Sequence, residues 1–495
     1  MRFLEKPVSK FLLSVLALEY LSFVAYFVPE LRPVIFIVVI FIMVIIAWKN
    51  FPFALQLMLL ELAIGGKGYL LFIDAGSFRL GLRLGLFLLL WLVWLVKIFK
   101  EGLGQSFKRW RLEWREQWIW RMMAIVAVFI VIGVVNGLLS GNSVKDVFLD
   151  SNAFLYLGLG IILADRIPVS QRASWVGEFK DLLLVALTVM LVKNLALLYV
   201  FSRHLSGWTG GLYKWVRDTG VGEITRVSNS FYRVFFQSQF YAVVGWCLGQ
   251  AGIMRSWRET LLESIRQSSK DWYLSIISLT IIVLSLSRSF WVGTAVVFGL
   301  LVLTIGVRIG IKKMFQYIGV TMVLALAING FLMFFTEYRN PYALPGSPVT
   351  DRFVLDEAAN SRMRLLKPLW QKVSEQWLAG AGFGTTVTYQ TKDPRIVEKY
   401  PDGWYTTYAF EWGHLDLWLK LGLFGWLVVL AVLLGTAVRL WNREDGISKG
   451  LSLAIIALLA IHVFTPYINH PLGIGVLLLS WLLFQWQPKF AKVDI

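Results

Sequence analysis

The sequence is poor in the residues from which water-soluble domains are built. Only 16% of its 495 residues are charged, where soluble domains carry roughly 25%, so a soluble enzyme and a disordered chain are both excluded. A single cysteine, Cys247, lies inside an apolar run, which leaves no disulfide framework and excludes a secreted disulfide scaffold. The four histidines, His204, His414, His462 and His470, have no metal-ligand spacing, and the long loops contain no Asp-x-Asp. Metal chemistry is therefore not expected. A Gly-x-Ser-x-Gly elbow and a Gly-Lys-Ser/Thr phosphate loop are both missing. Internal repeats, low-complexity segments and the parallel halves of many transporters are missing too.

What is abundant is hydrocarbon. Hydrophobic residues make up 57% of the chain and the mean hydropathy is +0.65. Apolar runs near ~20 residues recur from end to end, each long enough to cross the ~30 Å hydrocarbon core of a bilayer. The sequence predicts an all-α, polytopic transmembrane helix bundle of twelve to fourteen spans. The net charge of +17 is not read as a nucleic-acid signal. Lys and Arg crowd into short segments beside apolar spans, as in Lys108-Arg109-Trp110-Arg111 and Lys312-Lys313, the positive-inside pattern with added attraction to anionic membrane lipids. Arg2, Lys6 and Lys10 precede the first apolar stretch, but Glu19 interrupts it and no small-residue cleavage site follows. A retained first span is expected, not a signal peptide.

Charge clusters and Gly/Pro breaks divide the chain into helices at 1–201, a loop at 202–233, helices at 234–335, a large loop at 336–412 and helices at 413–495. Among the expected spans are 51–73, 272–288, 290–308 and 413–438. With both termini in the cytoplasm, segment 97–121 falls inside with seven Lys/Arg against three Glu. Both long loops then fall outside. The larger carries nine Lys/Arg and nine Asp/Glu, the balance a translocated loop tolerates. Trp110, Trp114, Trp118 and Trp120 near a span end read as an interfacial aromatic belt.

Candidate chemistry gathers on the outer side. Arg288, in Ser287-Arg288-Ser289, closes the expected ninth span. It is read either as a cation snorkelling to the interface or as an anion clamp, since a guanidinium grips phosphate oxygens bidentately. Ser361-Arg362-Met363-Arg364 opens an amphipathic stretch running to Trp377, followed by Gly380-Ala381-Gly382-Phe383-Gly384. Arg362 and Arg364 are either solvated loop charges or anion ligands. The glycines are either a turn or a backbone that admits a phosphate. Glu411 and His414 stand three apart where the loop returns to the membrane, on one face of a helix beginning there. They read as a polar helix start or as a general base at the membrane mouth. The intramembrane ionisables Glu19, Glu61, Lys67 and Lys193 follow no relay pattern.

Taken together, these segments resemble the O-antigen ligase/polymerase superfamily of bacterial envelope glycosyltransferases, most strongly over residues 270–430. That family shows Ser-Arg-Gly at a span end, an outer-loop Arg eighteen residues before a Gly-x-Gly-x-Gly run, and Gly-x-x-Gly in the returning helix. Here Ser287-Arg288-Ser289 fits with Ser for Gly, Arg362 lies eighteen before Gly380, and Gly422-Leu423-Phe424-Gly425 completes the set. The family's catalytic His, about eleven residues before the Gly-x-x-Gly, falls here on Glu411; His414 is one turn on.

The resemblance implies a donor glycan on undecaprenyl diphosphate at the outer face of the cytoplasmic membrane, and a glycan or lipid acceptor. Arg288, Arg362 and Arg364 would bind the diphosphate, and Glu411 or His414 would serve the acceptor. It implies neither metal nor other cofactor and no nucleic-acid partner. A chain-length regulator or export machinery is a further expected partner. Ligase and repeat-unit polymerase share this chemistry. A lipid-linked-glycan flippase or other transporter is the rival class, and a structural assembly partner the third. A transporter would concentrate its polar groups at mid-membrane, in broken helices.

Overall fold

The computed structural model describes residues 7–76, 78–102, 104, 118–203, 205–226, 232–254, 260–306, 310–336, 357–392 and 394–483. The run Lys108-Arg109-Trp110-Arg111, Trp114 and the 337–356 part of the large loop lie outside the described residues. The chain is an all-α polytopic bundle. Among the described residues eight helices are long and apolar enough to cross a membrane: Pro7–Phe27, Pro29–Lys49, Leu82–Glu101, Ile119–Leu139, Val144–Arg166, Val169–Ser202, Ile311–Phe331 and Gly413–Trp441. Shorter apolar helices run over Phe51–Ile64, Arg288–Thr304, Gly446–His462 and Pro471–Leu482. Among the described residues three antiparallel two-stranded hairpins accompany them, the last pairing Val387–Gln390 with Trp404–Thr407. The chain divides into two compact units.

The first unit comprises Met1–Leu90, Gly177–Asn360 and Arg443–Ile461. Its centre is helix Phe240–Ile253, buried at every residue, against helix Ser269–Leu284. Small residues let the two backbones close in: a Cβ on Gly249 would lie 2.9 Å from Asp271 O, the packing that membrane helices favour. Three of the four intramembrane ionisables named from the sequence have partners, and the fourth has a simple place. Lys193 pairs with Glu19 at 2.7 Å and Arg83 with Glu61 at 2.7 Å, while Lys67 is exposed in the turn after Ile64. That turn also shortens the span expected at 51–73. Gly66 and Gly68 take φ of 55° and 93°, left-handed values that end a helix, and the chain continues as hairpin Phe72–Ala75/Phe78–Gly81.

The expected span 272–288 likewise ends early, at Leu284. Leu286 has φ 49°, the one left-handed non-glycine among the described residues, and this breaks the helix. Arg288 therefore opens the next helix, Arg288–Leu301, instead of closing the previous one.

The second unit comprises Trp91–Val176, Ser361–Asn442 and His462–Ile495. Here the amphipathic helix Glu357–Glu375 and the hairpin fold onto the return helix Gly413–Trp441. Leu365, Leu369 and Val373, spaced four apart on one helix face, join Ala381, Val387, Tyr389, Phe410 and Leu419 in a common core.

Candidate active site at the return helix

The return helix is broken. Gly422 has φ 71° and ψ 175°, so Gly413–Leu421 and Leu423–Trp441 are separate segments. The stretch Gly380–Gly384 is inserted at that break. A Cβ on Gly380 would lie 2.5 Å from Gly422 N, Ala381 N donates to Leu419 O at 2.6 Å, and Leu423 N donates to Trp377 O at 3.0 Å. On its other side the stretch presses on helix Trp118–Leu139. Phe383 N donates to Gly133 O at 3.0 Å, and a Cβ on Gly382 would lie 2.7 Å from that same oxygen. Gly380 N donates to Gln376 O at 2.9 Å, and Gly384 N to Asp150 Oδ2 at 2.9 Å. The amides of residues 380, 381, 383 and 384 are thus all engaged by the protein. The glycines here admit close backbone packing, and these four amides are not open to a phosphate.

Beside the break lies a charged cluster that sequence reasoning missed. Lys420 Nζ is 2.5 Å from Asp416 Oδ1 and also pairs with Asp150, and all three side chains are at most 6% exposed. Asn469 Nδ2 donates to Asp416 Oδ2 at 2.5 Å. The visible signal was Asp416 and Lys420 four apart in an apolar run, a spacing that pairs opposite charges on a helix. Asp150 and Asn469 carried no signal, being distant in sequence. Tyr408 stands near this cluster. Burial first, then the carboxylates of Asp146 and Asp150, push its phenol above the ordinary tyrosine value, with Lys420 opposing.

Two of the residues named from the sequence meet directly. The Arg362 guanidinium engages Glu411 through two N–H groups: Nε pairs with Oε2, and the second nitrogen donates to Oε1 at 3.3 Å. The pair is half-open to solvent, with side chains 32% and 46% exposed. Trp412 Nε1 fastens the same turn by donating to Arg362 O at 2.9 Å. Arg364 is exposed on the other side of its helix, because residues two apart are turned about 200° from each other. The structure does not bring Arg364 to the pair.

His414 is held by aromatic neighbours. Trp426 Nε1 donates to its Nδ1 at 3.3 Å, and its ring meets the His462 ring edge-on with centroids 4.9 Å apart. With Nδ1 accepting, the neutral ring carries its proton on Nε2, so His414 presents a donor. His462 is fully buried, and its Nδ1 accepts from Ile468 N at 3.2 Å. Only glycine fits opposite it: a Cβ on Gly413 would lie 2.6 Å from His462 Cε1.

Arg288 belongs to the first unit. It follows the N-cap Ser287, whose hydroxyl lies 3.1 Å from that of Ser289. Arg233, which the sequence did not single out, donates from Nε to Ser285 O at 2.7 Å and stacks over Phe235. It thereby covers the carbonyl left open where the preceding helix breaks.

Among the described residues no group of three His, Cys, Asp or Glu is arranged to hold a metal ion. The second unit thus assembles a solvent-reachable Arg–carboxylate pair, a donor imidazole one turn on, and a buried charge cluster at the helix break. Such a set can bind an anion and move a proton. No protein-family model, no curated protein and no solved structure matches this chain.

Proposed function

We propose that this chain is an integral-membrane, metal-independent inverting glycosyltransferase of the O-antigen ligase/polymerase type, acting at the outer face of a bacterial cytoplasmic membrane. The observation that carries the reading is the Arg362–Glu411 pair: a fixed cation and a carboxylate 49 residues apart in the large loop, held together beside the start of the return helix. The donor is a glycan on undecaprenyl diphosphate. The acceptor hydroxyl oxygen bonds to the anomeric carbon as the carbon–oxygen bond to the diphosphate breaks. The lipid diphosphate leaves with the electron pair, and a base takes the acceptor's proton. Charge grows on the leaving group, where a preorganised guanidinium lowers the barrier.

In the resting pair Glu411 is the counter-ion of Arg362. An arriving diphosphate is a second anion for the same guanidinium, and as it takes Arg362 it releases the carboxylate toward the acceptor. The hydrogen bond that Trp426 gives to Nδ1 supports Glu411 over His414 as base, with His414 orienting the acceptor. A role for Arg288, which lies in the first unit, rests on the family resemblance alone.

The rival reading, a lipid-linked-glycan flippase, draws on the Gly422 break beside buried charges, since transporters bind at broken helices. The segment after the break, Leu423–Trp441, rises about 28 Å at 1.5 Å per residue. That length is close to the ~30 Å of a hydrocarbon core, which supports charges at the end of a span over charges at mid-membrane. This favours the enzyme.

The test is envelope-glycan profiling of a deletion strain complemented with wild type, Arg362→Ala, Glu411→Gln, His414→Ala or Arg288→Ala, each checked for folded protein. Single lipid-linked repeats in the deletion identify a polymerase, and long polymer stranded on the carrier identifies a ligase. Normal glycan from every well-folded variant rejects the catalytic reading and favours transport.

A further inference from the structure

Helix Glu357–Glu375 has a second apolar edge that its own unit does not cover. While Leu365, Leu369 and Val373 are buried, Met363 is 60% and Trp370 50% exposed. They stand seven residues apart, on one line of the helix, and Trp377, in the turn after the helix, is also 50% exposed. The line is flanked by cations: Lys367 and Arg364 are exposed on its polar side.

The exposed edge meets a row of tryptophans on the return helix. The Trp370 ring meets Trp418 edge-on at 5.9 Å, and Trp418 stacks flat on Trp426 at 5.1 Å. Trp426 stands one turn beyond the Gly422 break, where the spanning segment begins. On that segment Phe424, Leu427, Leu434 and Val438 are exposed apolar residues, as a face toward acyl chains requires. Trp418 turns its indole N–H inward to Trp377 O at 2.7 Å. A row of tryptophans at a span end marks the headgroup level. A helix with an apolar edge, Trp, and flanking Lys and Arg lies in the plane of that layer.

We infer that helix Glu357–Glu375 is seated in the headgroup layer of the bilayer, with Met363 and Trp370 among the upper acyl carbons and Lys367 and Arg364 on anionic phospholipid phosphates. The occupant of the exposed edge is the membrane that the return helix crosses, not a second protein. This seating holds whatever reaction the chain performs.

The experiment uses the full chain with Cys247→Ser, which removes the single cysteine. Met363→Cys, Trp370→Cys and, as an aqueous control, the exposed Gln371→Cys each carry a nitroxide. The proteins are reconstituted in vesicles of phosphatidylcholine with phosphatidylglycerol. Each label's accessibility to oxygen, which partitions into lipid, is compared with that to a water-soluble nickel chelate. Oxygen exceeds nickel at 363 and 370 and the order reverses at 371; in phosphatidylcholine alone the contrast shrinks. If 363 and 370 match 371, the edge faces water and the inference falls. Spin–spin broadening at 363 and 370 that disappears on dilution with unlabelled protein shows a second copy there and also overturns it. Met363 reads the same line should Trp370→Cys loosen the aromatic row.

Discussion

Gly380 and Gly422 meet backbone against backbone, a Cβ on the first lying 2.5 Å from the amide of the second. Both hold left-handed φ, 77° and 71°. The two demands are independent, since one concerns space and the other conformation, and a side chain violates both.

Gly380→Ala is therefore expected to lose folded protein. Left-handed backbone costs roughly 1–2 kcal/mol for a residue with a Cβ, and overpacking adds about 1–3 kcal/mol. Thermal unfolding in detergent, followed by monodisperse elution, reads the effect. An unchanged midpoint would show that the loop does not pack into the helix break. Gly141, whose Cβ would meet nothing within 4 Å though its φ is also positive, should tolerate alanine better.

Lys420 compensates two carboxylates that are both out of water. Lys420→Met leaves Asp150 and Asp416 buried without it, and breaking such a pair costs about 3–5 kcal/mol. Adding Asp416→Asn should recover part of the loss. Expression level and unfolding midpoint of the three proteins decide it; a single variant as stable as wild type would remove the cluster from the account of how the return helix is held.

The Arg362–Glu411 pair is expected to behave in the opposite way. It is half-exposed, so its contribution to stability is about 0–1 kcal/mol. Under the proposed chemistry Arg362→Ala slows glycan transfer on the order of 10²–10³-fold, the effect of losing a donor to developing charge. Measuring transfer rate and unfolding midpoint on the same samples separates the roles. A large drop in midpoint with unchanged rate per folded molecule would make the pair structural.

Tyr408 supplies a pH prediction. Its folded-state phenol lies above the ordinary value of 10.0, through burial and the nearby Asp146 and Asp150. Above that value the unfolded chain releases this proton while the folded one retains it, so stability falls as pH rises. The contribution is complete below pH 10.0 and is lost on moving up through the folded value. Tyr408→Phe should flatten the fall in unfolding midpoint over this alkaline window; an identical slope in the variant would contradict the assignment.

Local properties carried much of this protein in plain sight. Whether a segment crosses a membrane depends on the transfer free energy of its own side chains, so apolar runs such as those in Pro29–Lys49 and Ile119–Leu139 identify themselves. Arg362 and Glu411 were also nameable, because they are charged residues within a loop between apolar runs, although their mutual pairing was not. The helix stops were harder. The turn after Ile64 follows from glycines, but Leu286 adopts a left-handed φ that no leucine advertises.

The tertiary structure alone decided the contacts between distant residues. Asp150 reaches Lys420 across 270 positions, and Gly133 reaches Phe383 only because the large loop turns back between two helices. It also decided how the glycine run is used, since the three glycines are pressed against neighbouring backbone and the amides of Gly380 and Gly384 are taken by Gln376 and Asp150. Hydropathy sums over neighbours in the chain, whereas pairing depends on where the chain returns, and that is set by the packing of the whole fold.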